Sequence, residues 1–436
     1  MKRGWLIALA TIILAGGIVS TGYAETKIGG ELRVRGVTVD NKEAATTPTI
    51  KHTSGGFFEQ RTRINADANV NDTTKVFIQV QDSRKWGSED PMPTTEVLPS
   101  KVDRTIDTGD NDNGGIDLSQ GYVELSKLFG LSPVSVKMGR QAMFYGEHRL
   151  IGSLEWSNNA RRFDALKFIF KIGDAADIDV WTAKVREANG DWGDDDNFNG
   201  IYTSLKMVRN HFIDVYLLQK MADTDDVDTD ADANFYTLGG RVKGDIKSIG
   251  LDYAGELATQ FGDHDADENK VAVAYAVRVG YTVSQALGLR VGLEVDAASG
   301  EETPATADDD NNKFDNLYPT NHYLYGFTDD VTWTNLNAWS LNVSLKPMDK
   351  VNLAVEYWNY KTDQENSTGK DDNGTEINGK LNYELSKNIT CEAAYALRDA
   401  GDSAGPAKAY DSSTFGNIPA DKSASFGYFL INVKFN

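Results

Sequence analysis

Hydrophobic and polar residues alternate along a series of short segments of the chain. From residue 57 to residue 70 the odd positions are mostly polar, with Glu59, Arg61 and Arg63 among them, and the even positions turn apolar toward Val70. Because successive side chains of a strand point to opposite faces, this pattern predicts a strand with one wet face and one apolar face. Similar alternation recurs at residues 31–39, 251–261, 287–296, 351–361 and 426–435. Repeated strands of this kind predict an all-β fold, a transmembrane antiparallel β-barrel around a polar interior.

The connections between these segments are alternately short and long. Eight short connections carry turn residues, as at 69–74 and 128–133, and nine long ones are polar and rich in Asp, as at 87–117 and 298–330. This alternation predicts about eighteen strands with short periplasmic turns, long acidic extracellular loops and both termini on the short-turn side. The last strand, which ends in Phe429, Ile431, Val433 and Phe435 at alternate positions, is expected to pair with the first and close the barrel.

Aromatic side chains near strand ends are typical of the girdles at the two membrane interfaces. The alternative for each of them is ordinary packing between strands. The candidates for the girdles are Trp86, Trp181, Trp333, Trp339, Tyr357 and Trp358.

The amino terminus has the pattern of a secretory signal peptide. Lys2 and Arg3 precede an apolar run from residue 6 to residue 19, and Gly22, Tyr23 and Ala24 form a cleavage signal. We therefore expect residues 1–24 to be a signal peptide and residues 25–436 to be the barrel, located in the outer membrane of a Gram-negative cell. An uncleaved anchor is the alternative.

The chain is strongly acidic, with a formal net charge of −21 at pH 7. This charge repels phosphate and argues against a nucleic-acid partner. The expected partners are outer-membrane lipid and lipopolysaccharide, small or anionic solutes, and a periplasmic or surface protein. One acidic run offers candidate Ca²⁺ ligands in Asp223, Asp225, Asp228 and Asp230. It lacks the Gly of an EF-hand loop, which favours a solvated acidic loop, and no metal or cofactor is predicted.

Charged residues share one face of the early strands. Burying Arg or Lys against lipid would cost roughly 2 to 4 kcal/mol each, so these side chains are expected to line an aqueous channel and to set its ion preference. Salt bridges that only hold the wall are the alternative. The candidates are Arg33, Arg35, Glu59, Arg61 and Arg63, followed on later strands by Glu256, Arg290, Glu294 and Glu356.

Two denser blocks stand apart. Residues 139–168 read GRQAMFYGEHRLIGSLEWSNNARRFDALKF, and residues 314–330 read FDNLYPTNHYLYGFTDD. The GRQ, the YG with a following Arg, the Trp-Ser-Asn, the Arg before FD and the later LYPT with its His resemble the alginate-export family of outer-membrane barrels. This resemblance implies an electropositive conduit for an anionic polysaccharide. It places near the mouth and wall Arg140, Arg149, Arg161, Arg162 and Asp164, with Asp315 and His322 in the second block.

Considered without the family, the first block is a long loop that either contacts solute or is pinned by buried Arg pairs. The second block contains Pro319 and several aromatic residues, which predicts an ordered loop that narrows the mouth.

Motifs of catalysis are sparse. The sequence contains no HExxH, no GxSxG and a single cysteine, so no enzyme is predicted. The leading hypothesis is a porin-like channel for passive passage through a charged lumen. The alternatives are a structural sleeve or anchor for a partner complex, and a barrel hydrolase with a site at the rim near His148 or His322.

Overall fold

The alternating segments form eighteen antiparallel strands. The computed structural model describes residues 25–41, 53–86, 116–186, 196–222, 233–265, 268–301, 310–403 and 423–435. Residues 1–24, the predicted signal peptide, and the candidate Ca²⁺ ligands Asp223, Asp225, Asp228 and Asp230 lie outside these described residues. The strands are β1 (Glu25–Asn41), β2 (Thr53–Asn71), β3 (Thr74–Lys85), β4 (Ile116–Ser126), β5 (Val134–Gln141), β6 (Phe163–Ile172), β7 (Ala176–Arg186), β8 (Asp196–Leu205), β9 (His211–Ala222), β10 (Ala233–Ile246), β11 (Leu251–Asp263), β12 (Asn269–Ser284), β13 (Leu289–Ala298), β14 (Leu336–Met348), β15 (Val351–Lys361), β16 (Asp372–Ser386), β17 (Ile389–Ala400) and β18 (Ser423–Phe435). A short 3₁₀ helix, Leu128–Gly130, lies between β4 and β5.

The strands close into a barrel. Each pairs with the next along the chain, and β18 pairs with β1, with Gly30 opposite Phe435 and Val39 opposite Phe426. This confirms the predicted strand number and the predicted closing pair. Short and long connections alternate around the ring as expected, so the barrel has a short-turn end, which holds Glu25 and Phe435, and a long-loop end.

The two faces of each strand differ as the sequence pattern predicts. On β12, Val273, Tyr275 and Val277 are exposed on the outside, whereas Ala274 and Ala276 between them are buried on the inside. Exposed Leu, Val, Ile and aromatic side chains continue this apolar outer surface around the ring, as expected for contact with hydrocarbon. Among the described residues, no helix is long and apolar enough to cross a membrane.

Three of the predicted girdle aromatics lie inside the barrel instead. Trp181, Trp333 and Trp358 are 3%, 0% and 2% exposed. Trp181 and Trp358 have the inward parity of their strands, and Trp333 belongs to a loop that packs against Phe314. Trp86 and Trp339 are exposed. The prediction failed for the first three because strand-end position alone does not distinguish a membrane interface from an interior core.

Candidate functional site

Two long connections fold back into the barrel. We call residues 142–162, between β5 and β6, the first inward loop. Residues 299–335, between β13 and β14 and described at 299–301 and 310–335, are the second inward loop. The two loops pair side by side: Tyr318 donates its N–H to the Leu150 carbonyl at 2.9 Å, and Gly152 donates to the Tyr318 carbonyl at 2.8 Å. Together they form one body, the plug.

The arginines of β1 and β2 bind the backbone of the first inward loop. Arg33 donates to the carbonyls of Glu155 at 2.7 Å and Ser157 at 2.9 Å, and Arg35 donates to the Trp156 carbonyl at 2.9 Å. Arg61 reaches the same Glu155 and Ser157 carbonyls at 3.0 and 2.9 Å. These guanidinium groups face the interior as predicted, but they are buried beneath the loop and contact protein.

Glu155 gathers three of the buried cations. Its carboxylate lies 2.6 Å from Arg63, 2.9 Å from Arg162 and 3.4 Å from Arg61. Burial alone would raise the pKa of Glu155, but the positive charges of Arg162, Arg63 and Arg61 outweigh it and hold the pKa well below its usual value. Glu31 pairs with Arg61 and Glu59 pairs with Arg35, whereas Arg33 is bound by loop carbonyls and by the Asn158 amide oxygen.

Arg149 anchors the first inward loop on the opposite wall. Its side chain is 2% exposed and forms ion pairs with Glu294 and, at 2.9 Å, with Asp296 of β13. It also donates to the Tyr325 hydroxyl of the second inward loop at 2.6 Å. This ion pair fixes the position of the loop, because removal of one partner would leave the other charges buried and uncompensated in a medium of low dielectric constant.

Glu147 is the part of the first inward loop that approaches the short-turn end. Its carboxylate contacts Arg278 at 2.6 Å and Lys243 at 3.0 Å, and Arg241 lies at 3.8 Å. Since Glu155 binds β2 and Glu147 binds β10 and β12, the loop spans the lumen of an eighteen-strand ring from one side to the other. Burial would raise the pKa of Glu147, but Arg278, Lys243 and Arg149 lower it to about 2.

The charge of Glu147 predicts a pH-dependent stability. A carboxylate whose folded pKa is lowered stabilises the fold above its unfolded pKa of about 4.3, and this stabilisation is lost as the pH falls through about 2. The shift corresponds to roughly 3 kcal/mol. We expect Glu147→Gln to have a lower thermal unfolding midpoint than the wild type at pH 6, and the two midpoints to converge toward pH 2.

Glu365→Gln is the matched control for this prediction. Glu365 is exposed in the connection between β15 and β16, so its replacement should leave the midpoint unchanged at every pH. If the unfolding midpoint of Glu147→Gln lies below that of the wild type by the same amount from pH 6 to pH 2, the charge of Glu147 does not hold this part of the first inward loop.

An aromatic stack joins the two inward loops to the wall. The Arg35 guanidinium lies 3.8 Å from the centroid of the Trp156 ring, and the His322 ring stacks on Trp156 at 3.7 Å and 5°. His322 Nδ1 lies 2.7 Å from Asp329. Burial lowers the pKa of His322, with Arg35 and Lys380 acting in the same direction, and burial raises the pKa of Asp329. Both shifts favour the uncharged forms, so His322 and Asp329 form a buried hydrogen bond between neutral groups.

The second inward loop is fixed to both sides of the lumen. Asp315 accepts from Lys220 of β9 at 2.6 Å, and Asp330 accepts from Arg398 of β17 at 2.7 Å. Glu376 of β16 accepts from the backbone N–H groups of Phe327 at 2.6 Å and Thr328 at 3.3 Å. The predicted ordered loop therefore exists, and it enters the barrel rather than only narrowing its mouth.

Apolar packing fills the long-loop half of the barrel. Side chains of the plug, including Met143, Ile151 and Phe314, form one buried cluster with inward side chains of β6 to β15. A second cluster joins Phe327 to inward residues of β1, β17 and β18. Because burial of each large apolar side chain contributes about 1.5 to 3 kcal/mol, the plug is held by a hydrophobic core as well as by charge.

The short-turn half of the lumen is lined by partly exposed charges that are paired. Arg290 donates to Asp252 through two nitrogens at 2.7 Å, Lys167 lies 2.9 Å from Asp179, and Lys75 lies 2.8 Å from Asp67. Within each of these pairs the positive and negative charges balance. Among the described residues, no group of His, Cys, Asp and Glu side chains is arranged to hold a metal ion.

The remaining predicted channel residues fall into three places. Arg161 and Arg162 belong to the plug, where Arg161 donates to the Pro319 carbonyl at 2.8 Å. Glu256 and Glu356 face inward, and Glu256 accepts from Tyr216 at 2.9 Å.

Arg140 and Asp164 pair with each other on the outer face, because their neighbours Gln141, Phe163 and Ala165 take the inward positions. Arg140 and Asp164 therefore do not line the channel, contrary to the prediction, because their positions on β5 and β6 face outward.

Sequence reasoning missed the carboxylates that anchor the plug. Glu147 and Glu155 lie inside the first dense block but were passed over in favour of its arginines, and Asp296 and Glu376 are isolated acids on strands. The available signal was the presence of acidic residues between the arginines of this block, since a buried Arg cluster requires counter-charges.

Comparison with known proteins identifies one family and several barrels of similar fold. A family model described as "Alginate export" matches residues 24–409. No curated protein matches the sequence significantly. The fold is similar to Acinetobacter baumannii OccAB4, at 11% identity and a TM-score of 0.62, over 94% of this chain and 98% of that chain. It is also similar to Pseudomonas aeruginosa OccK1 (OpdK), at 10% identity and a TM-score of 0.62, over 95% and 99% of the two chains. A structure of Pseudomonas aeruginosa OpdK with vanillate gives 11% identity, a TM-score of 0.62 and the same coverage.

Proposed function

We propose that this chain, which belongs to the alginate export family, passes small solutes, anionic ones among them. We also propose that its plug determines which solutes cross. The protein is an outer-membrane channel with a closed barrel, short periplasmic turns and long extracellular loops. Passage is passive in this proposal, because the lumen holds paired charges and no energy-coupling element among its described residues.

The observation that carries this proposal is the position of the plug. It occupies the extracellular half of the lumen and is bound to opposite walls through Glu155, Arg149 and Glu147. A polymer would need this body to move aside, whereas small solutes need only local openings. The OpdK structure with vanillate, a small carboxylate, makes a solute of that class a suitable first probe for this channel.

The paired charges of the lumen predict weak charge selectivity. Ion preference requires unbalanced fixed charge along the path, and here the Arg row of β1 and β2 is bound by carboxylates and by loop carbonyls. We expect refolded protein in planar bilayers to give small discrete openings, with reversal potentials in a KCl gradient close to those of an unselective pore. Sodium vanillate should carry current through the same openings.

The same bilayer measurement separates this proposal from its alternative. A sleeve or anchor for a periplasmic or surface partner is favoured by one observation, the apolar packing of the plug against the wall. A sleeve would give no openings, even after the plug anchor is removed by substitution of Arg149. Openings that are unaffected by any plug substitution would contradict the role proposed here for the loops.

The proposal assigns no catalytic role and no cofactor to the barrel. It includes outer-membrane lipid and lipopolysaccharide as the surroundings of the apolar outer surface, and it includes no nucleic acid, since the chain carries a net charge of −21.

A further inference from the structure

The short turns at the periplasmic end of the barrel carry exposed apolar side chains beside exposed cations. Phe129 is 89% exposed, Met207 71% and Met348 63%. Lys346 belongs to the end of β14 but adjoins Leu287, because it donates its backbone N–H to the Leu287 carbonyl at 2.8 Å. We call five such neighbours the turn pairs: Lys127 with Phe129, Arg209 with Met207, Lys247 with Ile249, Lys346 with Leu287, and Lys350 with Met348.

The cations of the turn pairs are not neutralised by the protein. All of them are exposed, and none is ion-paired within the described part of the chain. Lys206 is the contrast, since it pairs with Asp177. Asp349 is the only acidic residue in the stretches that carry the pairs, which are residues 127–133, 206–210, 247–250, 285–288 and 346–350. These turns are therefore positively charged, although the chain has a net charge of −21 and its long connections are rich in Asp.

Phe129, the most exposed of the apolar side chains, is held outward by an ordered turn. Lys127 and Phe129 both have a φ of 53°, in the left-handed region that L residues avoid. Gly130 donates its N–H to the Lys127 carbonyl at 2.9 Å, and Leu131 donates to the Leu128 carbonyl at 2.9 Å. Because the Phe129 ring is exposed, packing within the described chain does not offset this strain. The turn thus presents an aromatic ring to something outside the protein.

The turn pairs continue the lipid-facing surface of the barrel. Ile246 on β10 points outward and leads to Ile249, and Val283 on β12 points outward and leads to Leu287. A cation beside apolar side chains is typical of the boundary between hydrocarbon and headgroups, where the apolar part lies in the acyl chains and the charged end reaches the phosphates. Both the position and the charge of the turn pairs therefore favour a lipid.

We infer that the turn pairs bind anionic phospholipids of the periplasmic leaflet, with the cations on the headgroup phosphates and the apolar side chains among the adjacent acyl chains. The preference is for an anionic headgroup over a zwitterionic one, because each Lys or Arg near an anionic membrane surface adds to the attraction. The acidic long connections would repel the same headgroups, so the two ends of the barrel differ in the lipids that they favour. This inference does not depend on which solutes the channel passes.

The test measures the lipid that stays bound to the full-length protein. The protein is reconstituted into vesicles of phosphatidylglycerol and phosphatidylcholine in equal parts with identical acyl chains, solubilised in a mild detergent and purified, and the bound lipid is quantified by mass spectrometry. We expect phosphatidylglycerol in roughly threefold excess over phosphatidylcholine. The excess should disappear when the protein is purified in about 1 M NaCl, because salt screens exposed charges.

Variants locate the effect at the turns. Lys247→Gln combined with Lys350→Gln should reduce the excess of phosphatidylglycerol about twofold, because it removes two cations of the turn pairs. Lys361→Gln combined with Lys370→Gln is the matched control, since it removes the same charge from two exposed lysines between β15 and β16 at the long-loop end. This control should keep the wild-type ratio. Phe129→Asn should lower the amount of both lipids and keep the thermal unfolding midpoint, because Asn tolerates a positive φ.

Two outcomes would overturn the inference. Equal retention of the two lipids by the wild type would leave the turn pairs as a docking surface for an acidic periplasmic protein. An equal change of the lipid ratio in the two double variants would show that net charge alone, and not the turns, sets the preference. Planar-bilayer conductance tests passage separately, so this inference and the proposed function can fail independently.

Discussion

Arg149→Ala will release the first inward loop from β13, lower the thermal unfolding midpoint and raise single-channel conductance several-fold. The substitution leaves Glu294 and Asp296 buried side by side without the cation that binds both. Removal of one partner from a buried ion pair costs about 3 to 5 kcal/mol. The loop can avoid this penalty only by letting water reach the two carboxylates, and that movement opens the long-loop half of the lumen.

Arg290→Ala is the control. Arg290 is partly exposed, and it contacts Asp252 and Asn342 on the barrel wall rather than the plug. Its loss should cost no more than about 1 kcal/mol. The triple variant Arg149→Ala, Glu294→Gln, Asp296→Asn should recover part of the lost stability, since no buried charge remains unpaired. If Arg149→Ala keeps the wild-type conductance and midpoint, the ion pair does not hold the plug.

Gly152→Val should separate the two inward loops. A Cβ atom at this position would lie 2.7 Å from the backbone nitrogen and 2.8 Å from the Cβ of Thr320, within the paired stretch that joins the loops. The backbone of Thr320 cannot yield locally, because its N–H donates to the His148 carbonyl at 2.9 Å. Overpacking of this kind costs about 1 to 3 kcal/mol or more, so we expect larger and more frequent openings in bilayers and faster protease cleavage of the first inward loop.

Gly379→Val is the parallel substitution at an open position. Nothing lies within 4 Å of a Cβ atom on Gly379, which is on the outer face of β16. This variant should behave as the wild type in both assays. Equal effects from the two valines would indicate a general loss of barrel stability rather than a wedge between the loops.

The architecture was predictable because it depends on a repeated local signal. Strand parity around Arg61 and Arg63 and the alternation of short and long connections both report on an eighteen-strand barrel, and each strand repeats the same information. A mistake about one strand therefore changes little. The girdle assignment of Trp181 and Trp358 failed because it used position along the strand and neglected parity.

The interior was harder to predict because it depends on pairings between distant segments. Strand parity shows that Arg33 and Arg35 face inward, but the sequence around them does not show that they donate hydrogen bonds to the carbonyls of residues 155–157. The resemblance to a known family identified the two dense blocks as important without showing that they pair through Leu150 and Tyr318. Periodicity along the sequence shows which face of a strand each side chain occupies, but it does not show which distant segments contact the inward faces to form the plug.

The anchors of the plug also determine the order in which the protein assembles. Arg33 meets Asn158 across 125 residues of chain, and Arg149 meets Glu294 across 145. Closing such distances costs entropy before any contact repays it, so we expect these pairs to form after the hairpins of neighbouring strands. Until then Leu150, Ile151 and Tyr318 remain in contact with water. The seam between β1 and β18 joins residues still farther apart along the chain, Gly30 and Phe435 among them, so by the same argument we expect it to close last, around loops that have already begun to pack.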